Sequence, residues 1–327
     1  MQMRNRTQGR LVGVDVARAV ALIGMICAHL TYPDGVLAEV LYGFPSALFA
    51  FLAGVSMSLM ARSGARPAHF VVRGLLLIAL SFLLSAIPTQ IVIVLGTLGG
   101  CMIALAWAQR LPSRWLLALA AVMTAGSGFV HLFVYPPLMW AVLMVAGMLF
   151  HRHLIDRPNY VAAAAAVGGA VMTLDIVARW YADLPYYFTA QGHTGGLVDV
   201  VGSAGASISI CSLSCLVARP RQLVLPRMGR MPLTLYCLHI PTSLVCGAAV
   251  SVIAAAVIAT AWLAAFPRGP VEEAMRRAVS AGVGLIDNLE RNYREKTSLP
   301  AARRERDLRN SSSRAGDGVD HVRRRHP

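Results

Sequence analysis

Residues 11–31 read LVGVDVARAVALIGMICAHLT. The stretch is apolar over the length of about 20 residues that a helix needs to cross a bilayer. It also carries Asp15, Arg18 and His29. An ionisable side chain inside a span costs several kcal/mol unless it is paired or hydrated, so each of the three is a functional candidate. At 100° per residue, Arg18 and His29 fall about 20° apart around the axis, and Asp15 lies about 60° from Arg18 and about 40° from His29. All three share one face. His29 lies about 16 Å beyond Arg18 along the helix. One polar stripe therefore runs nearly the length of the first span.

Outward from this segment the pattern repeats. Apolar stretches recur at about 44–61, 70–88, 91–109, 115–133, 136–151, 159–178, 197–217, 231–247 and 249–266. Residues 231–266 form one apolar run, read as two short spans meeting near Gly247, with one tilted span plus an interfacial segment as the rival. The expectation is an all-α, polytopic transmembrane bundle of about ten spans. The chain of 327 residues is 56% hydrophobic and 14% charged, against about 25% charged in an ordinary soluble protein. That excludes general disorder and an ordinary cytosolic globule. Basic residues precede the first segment, but Asp15 and Arg18 within it and the absence of a small-residue cleavage site make it a retained helix, not a signal peptide.

The net charge of +14 is unevenly placed. Residues 1–266 hold 16 Lys/Arg and 7 Asp/Glu, and residues 267–327 hold 14 and 9. Every second short loop is basic: Arg4, Arg6 and Arg10; Arg62, Arg66 and Arg73; Arg110 and Arg114; Arg152 and Arg157; Arg219, Arg221, Arg227 and Arg230. The intervening loops hold Asp34, Glu39, Asp183 and a single Arg179. By the positive-inside rule both termini are cytoplasmic, as ten spans require. Two domains follow: a membrane domain, 1–266, and a cytoplasmic basic tail, 267–327, with a short helix at about 270–297 and disorder beyond it. Anionic lipid contact by the tail is one expectation and a solvated tail is the other. Nucleic acid is excluded as a partner, because the basic residues are not interleaved with aromatics and no nucleic-acid fold is present.

Two later clusters also hold polar groups inside apolar sequence. Residues 192–207 read GHTGGLVDVVGSAGAS, with His193, Thr194 and Asp199; Asp199 falls about one turn into a span and needs a partner, or serves at the helix N-terminus. Residues 229–241 read GRMPLTLYCLHIP, with Arg230 at an interface, then Thr234, Tyr236 and a mid-membrane His239. Asp175 is a weaker candidate. His69, His151 and His153 read as solvated cytoplasmic loop residues and His131 as external. The six cysteines fall inside spans without a CxxC pair and read as packing residues. No HExxH helix, GxSxG elbow or phosphate-cradling loop is present, and no metal is expected.

Residues 14–29, VDVARAVALIGMICAH, followed by 43–60, GFPSALFAFLAGVSMSLM, resemble the first two spans of the heparan-α-glucosaminide N-acetyltransferase-like membrane proteins of actinobacterial type. HTGGLVDVVGSAGA at 193–206, GRMPLTLYCLHI at 229–240 and RGPVEEAMRR at 268–277 are similar to later segments of the same family. The Arg18-to-His29 spacing also resembles the pattern of the acyltransferase-3 type. The resemblance covers about residues 10–277. It implies a multi-pass acyltransferase of the cell membrane, bacterial and cytoplasmic, that moves an acyl group, acetyl above all, from cytosolic acyl-CoA to an extracytoplasmic glycan or lipid. By that resemblance Arg18 contacts the donor, with Arg230 as a second donor-side residue. His29 is the catalytic base or acyl relay, with Asp15 and His193 as further catalytic residues. Thr194, Asp199 and His239 lie on the acceptor side. Homodimerisation stays open.

The chemistry of the residues agrees with this expectation. A histidine titrates near neutrality and suits deprotonation of an acceptor. An arginine at the cytoplasmic mouth suits the phosphates of CoA. The rival is a transporter or flippase whose polar path is lined by Asp15, Arg18, Asp199 and His239.

Overall fold

Proline marks where many of the helices begin. In the computed structural model, α3 (Phe44–Arg62), α4 (Pro67–Ser85), α7 (Pro137–His153), α8 (Pro158–Tyr181) and α11 (Pro232–Thr242) each carry proline in their first turn. The missing N–H costs nothing there, and the fixed φ is already helical. The remaining helices are α1 (Val12–Thr31), α2 (Gly35–Leu41), α5 (Leu95–Ala104), α6 (Ser113–Ser127), α9 (Leu197–Val217), α10 (Val224–Arg230), α12 (Ala248–Ala265) and α13 (Pro270–Asp320). Short 3-10 turns occupy Ala108–Arg110 and Tyr186–Phe188. The structure describes residues 11–129, 135–219 and 224–320, with side chains as far as residue 295. Every regular element among them is helical. Arg4, Arg6, Arg10, His131 and Arg221 lie outside the described residues.

Six segments are long and apolar enough to cross a membrane: Val12–Thr31, Gly35–Arg62, Pro67–Ser85, Pro158–Tyr181, Leu197–Val217 and Ala248–Ala265. The stretches at 91–109, 115–133, 136–151 and 231–247 instead carry the shorter α5, α6, α7 and α11. The sequence explains part of that shortening. Leu95–Ala104 is followed directly by a tight turn, and Pro241 lies within α11 one residue before its end; α7, which begins at the Pro136–Pro137 pair, fills its run. The apolar run of 231–266 is divided between α11 and α12, and Gly247 is the N-cap of α12.

The chain divides into two compact units, Met1–Arg277 and Ala278–Pro327. Within the first, most of α1 and α9 is buried, whereas α4, α8 and α12 turn most of their residues outward. The centre is a cluster of Val14, Ala17 and Ala21 from α1, Leu48, Phe51, Leu52 and Val55 from α3, Phe150 from α7 and Cys211 from α9. The backbone of α13 is helical through Asp320, beyond the 270–297 expected from its apolar pattern. Its 301–309 stretch, AARRERDLR, is rich in good helix formers.

Backbone-to-backbone crossings pull these helices together. A Cβ added at Gly54 would sit 1.8 Å from the Met144 carbonyl oxygen, and one at Gly147 would sit 2.0 Å from that of Phe51. The paired glycines let α3 and α7 touch along their main chains. Such small-residue contacts are how helices associate where lipid removes the hydrophobic drive between them. Gly229 of α10 presses in the same way on the Asp15 carbonyl, 1.6 Å from where a Cβ would be. We therefore expect Gly147→Val to destabilise the folded chain by at least about 1–3 kcal/mol, the cost of overpacking. Gly100→Ala, with nothing within 4 Å of the added Cβ, should be silent. Melting temperatures of the two variants in detergent check this.

Candidate functional site

Asp15 is 2% exposed, and its carboxylate pairs with Arg18 at 2.7 Å, one turn along α1. The other arm of the Arg18 guanidinium donates to Ser56 Oγ of α3 at 2.8 Å. Ser56 in turn donates to the Leu52 carbonyl at 2.6 Å, so its oxygen is aimed as an acceptor. Arg18 stands at the junction of two spaces. One is an open cleft of about 790 Å³ lined by Asp15, Arg18, His69, Arg268 and Arg276. The other is a narrow, mostly apolar cavity of about 110 Å³ whose lining includes Phe49, Leu77, Leu98 and Tyr236. Arg73 of α4 lines that cavity with Arg18. The sequence places Arg73 only among the loop charges, because nothing local reveals that α4 turns it inward.

His29 stands at the far end of α1, where its Nδ1 lies 3.3 Å from Nε2 of His239 on α11. The rings are nearly parallel. The protons follow from the partners. His239 Nδ1 is 2.7 Å from the Tyr236 carbonyl oxygen, which can only accept, so Nδ1 carries hydrogen. With both rings neutral, His239 Nε2 then accepts from His29 Nδ1–H, and His29 Nε2 keeps a lone pair. That is the arrangement of an oriented general base. Tyr236 completes the connection: its ring lines the Arg18 cavity and meets the His239 ring edge-on at 5.1 Å. The two ends of the α1 stripe are thus joined through α11.

α11 is held in place from its N-terminus. The first N–H groups of a helix lack intrahelical acceptors. Here the Glu272 carboxylate accepts from the amides of Leu233 at 2.7 Å and Thr234 at 3.1 Å, and from Thr234 Oγ1 at 2.5 Å. Thr234 Oγ1 accepts from the Val271 amide at 3.1 Å. Arg230 donates to the Pro267 carbonyl at 3.0 Å and does not line the Arg18 cavity or cleft. It ties the chain together next to Gly229.

The second cluster is built around Arg179, which the sequence reading leaves in an external loop. Its side chain is 1% exposed. It pairs with Asp175 at 2.8 Å and Asp199 at 3.5 Å, donates to the Glu39 carbonyl at 2.8 Å, and lies over the Phe44 ring. Asp199 also accepts from the amides of Thr194 and Gly195, both at 3.1 Å, and from Ser203 Oγ at 3.2 Å. Asp199 and Thr194 therefore fasten the loop before α9. The available signal for Arg179 was its i,i+4 spacing from Asp175.

That loop carries His193, at φ 66°, in the left-handed region. Ser46 Oγ donates to the Gly43 carbonyl at 2.9 Å, so His193 Nε2 supplies the hydrogen in its 3.3 Å contact with Ser46. The His193 ring stacks on Trp140 and meets Tyr135 edge-on. His151, read as a solvated loop residue, is buried and within 2.8 Å of Ser58 Oγ. The chain matches no family model and no curated protein.

Burial, then the charges of Arg179 and His29, push His193 down to about 4 from 6.5. Its neutral form is the one the fold holds, so its contribution is full above pH 6.5 and falls as pH drops toward 4. Between those limits the wild type should lose up to about 3 kcal/mol more stability than His193→Gln. Unfolding of both proteins in detergent across this pH range measures the difference.

Proposed function

We propose that this chain is an integral membrane acyltransferase that takes an acyl group, acetyl as the expected one, from cytosolic acyl-CoA. It delivers the group to a hydroxyl or amine of a glycan or lipid on the other side of a bacterial cytoplasmic membrane. In this reading α5, α6, α7 and α11 join the six longer helices as short spans, which makes ten, and the basic loops keep both termini in the cytoplasm.

One observation carries the proposal: the Arg18 cavity runs between a basic cleft and Tyr236, which abuts the His239–His29 pair. The cleft presents Arg18, Arg268, Arg276 and His69 to the phosphates of the donor. The roughly 16 Å between Arg18 and His29 is a span for the extended pantetheine arm, with Arg73 as a second cation along the way. At its end His29 Nε2 removes the proton of the acceptor as that oxygen or nitrogen attacks the thioester carbonyl. The C–S bond then breaks, and the CoA thiolate leaves with the proton that His29 returns. His239 holds His29 in the tautomer this requires. The transporter reading is weaker, because it puts Asp199 on the same polar path, and Asp199 is occupied by Arg179, Ser203 and the loop amides.

The test is transfer of label from radioactive acetyl-CoA to envelope glycans and lipids by the reconstituted full chain. His29→Ala should lower the rate about 10²–10⁴-fold. Arg73→Gln should raise KM for the donor more than it lowers kcat. No transfer by the wild type, or equal transfer by His29→Ala, rejects the proposal.

A further inference from the structure

A third concavity, of about 430 Å³, lies among the last turn of α3, the Ala108–Arg110 turn and the last turn of α7. Its lining is Ser58, Ala61, Arg62, Gln109, His151 and Arg152. It shares no residue with the cleft or the cavity at Arg18, although Leu59 and Met60 of the same α3 line that cleft. Two arginines and a histidine face it. The acid beside them is Asp156, 3.5 Å from Arg62 in a pair exposed on both sides, so it offsets at most one of the arginine charges and does so weakly.

The decisive group is Gln109. Its side-chain nitrogen and oxygen are both buried, and neither has a partner among the described residues. Buried polar atoms are nearly always bonded, and an unmatched one costs about 1–3 kcal/mol. The turn that holds Gln109 is itself fixed, because Arg152 donates to the carbonyls of Leu111 and Gln109, both at 2.8 Å. Turned toward this positively charged space about its own side-chain torsions, the amide has N–H donors and a carbonyl acceptor for a ligand there. A halide satisfies only the donors. Sulfate carries no proton at neutral pH and leaves the carbonyl unmatched. A phosphate monoester supplies negative charge, acceptor oxygens and, when singly protonated, an O–H.

We propose that this concavity binds a phosphate group able to carry one proton, free or as a monoester, independently of the acyl donor site. Two sources share that chemistry: a soluble phosphate or the headgroup of phosphatidic acid at the membrane surface. Saturable binding of [32P]orthophosphate and of radiolabelled dioctanoyl phosphatidic acid to the full chain in neutral detergent separates them. At least one should bind, and Arg62→Gln and Gln109→Leu should each weaken it about tenfold. Gln109→Glu, which puts a carboxylate in the space, should abolish it, and Arg157→Gln, at an exposed arginine outside the concavity, should leave it unchanged. Orthophosphate alone identifies a soluble ligand, phosphatidic acid alone a lipid, and both the phosphate group itself. Saturation by neither, wild-type affinity in the Arg62 and Gln109 variants, loss in Arg157→Gln, or equal competition by sulfate would each overturn the proposal.

Discussion

An ionic group in the middle of an apolar bundle stays charged only where the fold supplies it with a partner of opposite sign and with further hydrogen bonds. Arg18 receives Asp15 from its own helix and Ser56 from α3. The geometry around that pair follows from this need. α10 crosses α1 so closely at Gly229 that no side chain fits above the Asp15 carbonyl. Satisfied on one side, the guanidinium is left standing between an open basic cleft and a narrow, mostly apolar cavity. A neutral residue at this position would take the cation from the buried Asp15 carboxylate and leave none at the boundary between the two spaces.

The helix that turns this pair into part of a larger arrangement is α11. It is only 11 residues long, with Pro241 in its last turn, so it draws little stability from its own hydrogen bonds. Its position comes from Glu272, which accepts its free N-terminal amides. From there it sends Tyr236 into the Arg18 cavity and His239 to His29. Glu272 is thus a positioning residue for groups it never touches. The Arg179 cluster plays the comparable part for the loop that carries His193: Asp175, Asp199 and Glu39 hold one buried cation, and Asp199 holds the loop amides in turn.

Much of this was legible in advance, and the rest was hidden for identifiable reasons. The shared face of Asp15, Arg18 and His29 follows from helical period alone, and the apolar runs mark the helices. Loop arginines were less transparent. Arg73 and Arg179 read as orientation signals, because whether a charge at the end of an apolar run faces inward depends on how its helix is rotated in the bundle. The apolar runs at 91–109 and 231–247 carry helices shorter than their hydrophobicity suggests, since hydropathy does not register a tight turn or an interior proline. Gln109 carried no signal at all, being one uncharged residue beside an arginine.

The sequence by itself determined that the chain is helical, rich in segments able to cross a membrane, and polar along one face of α1. These are properties of local period and composition, which act within a single element. Only the tertiary structure decided which groups meet. The 3.3 Å approach of His29 to His239 spans 210 positions of the chain, and Glu272 reaches back 38 and 39 to cap α11. Contacts of that range are set by how helices cross, and the crossings are set by small residues whose importance appears only when a second backbone lies against them.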